Sequence, residues 1–387
     1  MSDISGTSAL IPDIDRRKAL PIIRALGKSG VRVLGLSSHR APMGWFSKYC
    51  AKTFRCPDYR DEPDAFLEYL SDVCRTQKPD VLYPIEDVSL DLCVRHPQFW
   101  QPFTSALLPS PDALERTYDK WQTLQTAKAC GIPAPESFCP QSLAEVADLG
   151  RSRQGPWIIK PRKGSGSRGL QYVEHHNDLE TCYRKVASQY PSPIIQERIP
   201  AGGQGVGVSF LLDRCSQPLA IFCHRRLREY PISGGPSTLR VSFRDDRLIE
   251  QSLRLLTALN FTGVAMVEYK LDTRTGEYVL MEVNPRFWGS LPLAIHAGVN
   301  FPVLYHRASL GLAVVPVLEY TLGLYGRWLW PGDLLHFIAN PERFRLNPSF
   351  FQFWRPDTAD DILSADDLWP TVGILVEALR KLVSRDR

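Results

Sequence analysis

The chain has 387 residues, enough to bury more than one core, and its 44% hydrophobic and 23% charged content is that of an ordinary globular protein. A net charge of +4, scattered along the chain, is too small to make nucleic acid the expected partner. Nine cysteines without CxxC pairs or metal-ligand spacing fit a reducing compartment. With no signal-like start and no apolar run of about 18 residues, a cytoplasmic protein with no membrane association is expected.

Taken in chain order, residues 19–26 read as a helix and residues 30–36 as a buried-type strand. Residues 65–74 read as a second helix and residues 80–84 as a second strand. That alternation predicts a parallel α/β domain over residues 1–110. A helical stretch over 111–131 is closed by Gly131-Ile132-Pro133-Ala134-Pro135. From 157 to about 300 the chain is strand-rich, with helices near 178–189 and 246–259. The last 70 residues hold many aromatics and prolines and end in an expected helix over 369–383. The rings of Tyr325, Trp328, Trp330, Phe350, Phe351 and Trp354 are expected mostly to pack in the core.

Three segments carry candidate chemistry. Trp157-Ile158-Ile159-Lys160 runs into Pro161-Arg162-Lys163-Gly164-Ser165-Gly166-Ser167-Arg168-Gly169. Glycines let backbone N–H groups approach an anion, and the basic side chains neutralise it. A solvated hairpin tip has the same composition. Lys160 precedes the glycines and no GK[ST] follows, so this is not a Walker A loop. Next, His224-Arg225-Arg226-Leu227-Arg228 crowds three arginines onto one strand, as an anion site or a solvated edge would. Period-two alternation predicts Arg226 and Arg228 on one face and Arg225 on the other. The histidines lack paired ligand spacing, and no G-x-S-x-G occurs.

The third segment is the most informative. Residues 263–271 and 278–286 read as two strands joined through Arg274-Thr275-Gly276, a three-residue hairpin with glycine at its left-handed position. That register sets Thr273 against Glu277 and therefore Glu268 directly against Glu282. Alternation places Tyr278, Leu280, Glu282, Asn284 and Arg286 on one face. Opposed like charges destabilise a sheet, so a cation between them is expected. Two carboxylates and the Asn284 amide oxygen form an all-oxygen set suited to magnesium.

Asp119-Lys120, Ile159-Lys160-Pro161 with its glycine loop, Ile195-Gln196-Glu197-Arg198-Ile199-Pro200, Val267-Glu268-Tyr269-Lys270 and Met281-Glu282-Val283-Asn284-Pro285-Arg286 together resemble the ATP-grasp superfamily. The nearest resemblance is to its carbamoyl-phosphate-synthase-like group of carboxylate–amine ligases, over residues 15–310. The resemblance implies a mixed α/β and α+β fold. A pre-ATP-grasp domain would span 1–110. A two-lobed ATP-grasp domain would span 111–310, its small lobe about 130–200 and its large lobe about 201–310. Residues 311–387 would be an extension packed on it. It implies ATP and Mg2+, with Mn2+ as an alternative, small-molecule carboxylate and amine substrates, and a homodimer. Lys120, Lys160, Ser165, Gly166, Gln196, Glu197, Arg198, Ile199 and Gln204 would hold the nucleotide, Gln204 standing where the family usually has an acidic ribose ligand. Glu268, Glu282 and Asn284 would hold the metal. Arg286, Lys160 and Arg225, with its neighbour Arg226 as the alternative, would be catalytic.

Overall fold

The computed structural model describes residues 4–164, 169–353 and 355–374. Ser165, Gly166, Trp354 and most of the expected C-terminal helix lie outside these.

The chain begins with β1 (Ser8–Ile11), α1 (Ala19–Lys28), β2 (Arg32–Ser37), β3 (Cys50–Arg55), α2 (Pro63–Gln77), β4 (Val81–Leu82) and α3 (Asp87–Arg95). The strands form a parallel sheet in the order β3-β2-β1-β4, the alternating arrangement read from the sequence. Strands β1 and β3 were missed. β1 is only four residues long and fully buried, and β3 is mostly polar and half-exposed, so neither shows a clear period.

Next come α4 (Pro111–Tyr118) and α5 (Lys120–Ala129). The expected single helix over 111–131 is two helices, because Asp119 leaves the helical conformation and caps the second one, accepting from the N–H groups of Trp121 and Gln122. A four-stranded antiparallel sheet follows, built from β5 (Ser137–Phe138), then, past α6 (Leu143–Ser152), β6 (Trp157–Lys160), β7 (Gln171–Val173) and, past α7 (Leu179–Ala187), β8 (Ile194–Glu197). Its order is β5-β8-β6-β7.

The largest sheet has seven strands. It uses β9 (Gly205–Leu212), β10 (Pro218–Glu229), β11 (Ser237–Ser242), then, after α8 (Asp246–Ala258), β12 (Gly263–Asp272) and β13 (Glu277–Asn284). Helices α9 (Leu291–His296) and α10 (Phe301–Ser309) intervene before β14 (Tyr325–Arg327), α11 (Leu334–Ala339) and β15 (Thr358–Asp360). The order is β13-β12-β9-β10-β11-β14-β15.

One core lies between this sheet and the N-terminal one, where Ile22, Tyr83, Phe222, Phe287, Trp288 and Phe301 pack together. A second lies between the large sheet and α8. The segment after α10 is fastened by buried ion pairs. Asp333 accepts from Arg228 and Arg327 at 2.8 Å each, and Asp361 pairs with Arg17 and Arg240. Its aromatics depart from the expectation: Phe350 is buried, whereas Trp330 is 42% and Phe351 58% exposed.

Candidate active site

The register of β12 and β13 sets Glu268 directly opposite Glu282, as read from the sequence, but by a different route. Asp272 pairs with Glu277, so the connecting loop has four residues. A bulge then takes up the offset: Glu268 faces Glu282 while Tyr269 faces Leu280, leaving Met281 as the extra residue. The bulge also reverses the faces before it. Leu280, with Tyr278 beside it, packs into the α8-side core along with Val283, so neither shares a face with Glu282. Across the sheet, Glu268 lies beside Gly207, which lies beside His224. The imidazole of His224 sits so close that a side chain at Gly207 would fall 2.4 Å from its Cε1.

Four positive groups surround the acidic pair. Arg226 Nη2 lies 2.6 Å from Glu268 Oε2. Lys160 is buried on β6, and its Nζ donates to Gln196 Oε1 at 2.6 Å. Burial pushes Lys160 down to about 8, helped by Lys120 and Lys270 and opposed by Glu282. Lys120 opens α5, and its Nζ donates to the Gly164 carbonyl at 2.5 Å, at the start of the glycine loop. Arg286, just past β13, places Nε 2.5 Å from Asp87 Oδ1. Burial and the facing Glu282 raise Glu268 above the usual carboxylate range, against the pull of Arg226.

Arg225 does not join this group. Its guanidinium lies over the Phe243 ring at 4.6 Å, on the opposite face of β10. Arg226 is the strand neighbour that reaches the acids. A second bulge, between Arg226 and Arg228, makes Leu227 the extra residue and turns Arg228 to the Arg225 side, where it meets Asp333. The sequence reading that Arg226 and Arg228 share a face therefore fails at this bulge.

The remaining predicted nucleotide residues lie on β8 and in the segment that leads from it into β9. Gln196 Nε2 donates to Ser137 Oγ at 2.8 Å. The N–H of Glu197 donates to Glu136 O at 2.8 Å and that of Arg198 to Pro156 O at 3.1 Å, so both are taken within the protein. The Ile199 carbonyl accepts from Lys270 Nζ at 3.4 Å. Lys270 is a basic neighbour that sequence reasoning did not select, although it shares the strand face of Glu268. Gln204 is exposed just before β9, its carbonyl accepting from Leu271 N.

A cleft of about 290 Å³ opens against this group, lined among others by Asp87, Lys120, Lys163, Gly164, Glu282 and Asn284. Among the described residues no cluster of three or more His, Cys, Asp or Glu is placed to hold a metal. The oxygen set is two carboxylates and one amide. Asn284 Nδ2 donates to Glu268 at 3.2 Å and to Glu282 at 3.3 Å. The amide thus turns its nitrogen toward the acids, and holding a cation would take its oxygen instead. This hard-oxygen set fits Mg2+.

Residues 117–290 match the family model described as an ATP-grasp domain. Acetyl-CoA carboxylase 2 of Oryza sativa subsp. japonica is 28% identical over 170 residues, 42% of this chain and 7% of that protein. The chain thus spans less than a tenth of the length of the curated carboxylases that it matches first. Among solved structures, biotin carboxylase from Campylobacter jejuni, in complex with β-γ-ATP, aligns with a TM-score of 0.67 at 17% identity, covering 82% of this chain and 74% of that one. L-amino acid ligase from Bacillus licheniformis aligns with a TM-score of 0.61 at 18% identity, covering 80% and 75%. These likenesses establish a shared fold. Residues 117–290 thus match an ATP-grasp domain, and a parallel α/β sheet precedes them.

Proposed function

We propose that the protein is an ATP-dependent carboxylate–amine ligase working through an acyl phosphate. The observation that carries this reading is the convergence of Lys120, Lys160, Arg226 and Arg286 around the opposed pair Glu268 and Glu282. A carboxylate and a triphosphate repel one another, and such a constellation offsets that repulsion. In this reading Lys160, fixed by Gln196, and Lys120, beside the glycine loop, meet the phosphates. Glu268, Glu282 and Asn284 would hold Mg2+, which would supply neutralisation of charge on the transferring oxygens. Arg286 steadies the phosphoryl group, and Arg226 rather than Arg225 takes the second anion-binding role.

The substrate carboxylate oxygen attacks the γ-phosphorus and ADP leaves. The amine nitrogen then attacks the acyl carbon, the carbon–oxygen bond to phosphate breaks, and the nitrogen loses its proton. The chain need supply no nucleophile. The divisions 1–110, 111–310 and 311–387 and a homodimer belong to the same proposal; light scattering on the purified protein checks the dimer. No helix among the described residues is long and apolar enough to cross a membrane.

A screen of carboxylate and amine pairs, with ADP release as readout and mass spectrometry of the product, tests the reading. It expects a product weighing the sum of the pair less one water. A stable phosphorylated product without an amide would reject it for a kinase. The carboxylases among the similar proteins favour one second reading, a carboxylase-type reaction in which bicarbonate is the carboxylate. ADP release that requires bicarbonate and yields a carboxylated amine would select it.

Lys160 gives a pH signature. Its folded-state value of about 8 lies below the ordinary 10.5. The unfolded chain therefore binds more protons between those values, and this group's contribution to stability rises with pH across that window. Nucleotide binding moves the other way, because a neutral lysine does not neutralise phosphate. The KM for MgATP is expected to rise as pH passes about 8, and Lys160→Arg is expected to remove the rise. A rise that persists in that variant would separate Lys160 from nucleotide binding.

A further inference from the structure

We infer that Asp87 is the positioning residue for Arg286, so that the N-terminal sheet supplies part of the phosphoryl-transfer apparatus; this rests on the ligase reading above. Arg286 stands two residues beyond Asn284, where β13 has ended. Its side chain is 13% exposed, and Nη1 donates to the neighbouring Phe287 carbonyl at 3.4 Å. The short contact is the one from Nε to Asp87. An arginine gripped at Nε by a fixed carboxylate keeps its guanidinium plane and can present its Nη groups in one direction. Without that grip the long side chain has many rotamers.

The backbone that carries Asp87 is fixed from several sides. It is the first residue of α3, whose start carries a capping box between Glu86 and Ser89. Ser89 Oγ donates to Asp13 Oδ2 at 2.6 Å, and Ile85 N donates to the same oxygen at 3.0 Å. Asp13 is fully buried and comes from the loop after β1. The turn after β4 is thus tied to the turn after β1, at the point where strand order reverses. Ligands of open parallel sheets gather in the crevice at such a point. The two adjacent carboxylates have divided their partners. Glu86 holds Lys18 at 3.0 Å, and Asp87 holds Arg286. Asp87 also lines the cleft that contains Glu282 and Asn284.

A plain ion pair fastening two parts of the chain would show in stability alone, whereas a positioning role shows in turnover. The experiment measures ADP release from MgATP with pooled carboxylates and amines, for wild type, Asp87→Asn, Asp87→Ala, Asp87→Glu, Arg286→Ala and the Asp87→Ala/Arg286→Ala double variant. Misplacing a reacting group by about 1 Å costs up to roughly 100-fold. Asp87→Ala is expected to lose kcat on that scale while its KM for MgATP stays near that of wild type. Asp87→Glu is expected to recover part of the loss, and the double variant to be no slower than Arg286→Ala. Should Asp87→Ala fold poorly, the near-isosteric Asp87→Asn carries the same readouts. Wild-type kcat in the Asp87 variants, or losses that multiply in the double variant, would overturn the assignment. Absence of ADP release by wild type would overturn the ligase reading first, and this inference with it.

Discussion

Glu282→Gln is expected to lower MgATP turnover by roughly 10³-fold, the scale on which removing one preorganised electrostatic group acts, while leaving the fold intact. The variant keeps the size and hydrogen-bonding reach of the side chain and removes one of two facing charges. Glu268 and Glu282 are directly opposed, and like charges in that position cost stability. Without metal, therefore, the variant is expected to melt no lower than wild type. With magnesium the order reverses, because a ligand that binds only the native state stabilises it, and the variant has lost one donor. Calorimetry with and without Mg2+, beside ADP release, checks both halves. A variant that turns over ATP normally would remove the acidic pair from the mechanism.

Asp361→Ala is expected to cost about 3–5 kcal/mol of stability, the usual scale for stripping one partner from a buried ion pair. Asp361 accepts from Arg240 Nη1 at 3.0 Å and pairs with Arg17 as well. Arg240 is fully buried on β11, and Arg17 comes from the loop before α1. The carboxylate therefore ties together the N-terminal sheet, the large sheet and the segment after β15. Its removal leaves two desolvated guanidiniums, and burial already holds Arg17 below its ordinary value. Replacing Arg240 and Asp361 together by Met and Leu is expected to restore part of the loss, since it removes one of the two stranded guanidiniums and leaves Arg17 alone without its carboxylate. Chemical denaturation of the two variants reads the difference; equal losses in both would contradict it.

Much of the site was legible in the sequence because it is written in strand chemistry. Two acids facing one another have few bland explanations, and the Glu268–Glu282 pairing came out right. What failed was strict period-two alternation. The bulges at Met281 and Leu227 each insert one residue, turning Tyr278 and Leu280 into the core and sending Arg228 to Asp333. Neither bulge has a glycine to announce it; one borders the acidic pair and the other borders Arg226, and bulges re-aim side chains at such places. The choice of Arg225 over Arg226 was a coin-toss between adjacent residues that only the sheet's facing could decide. The link from Asp87 to Arg286 was invisible for another reason. It joins residues far apart in sequence, and no local pattern encodes such a contact.

The central claim is that a carboxylate becomes an acyl phosphate at the expense of ATP. Its most direct measurement adds hydroxylamine to the protein with MgATP and pooled carboxylates, and compares hydroxamate formed with ADP released. Hydroxylamine intercepts an acyl phosphate at its carbonyl carbon. The account predicts hydroxamate in step with ADP, and neither product from Glu282→Gln. ADP release without hydroxamate, or accumulation of a stable phosphorylated compound, would contradict it.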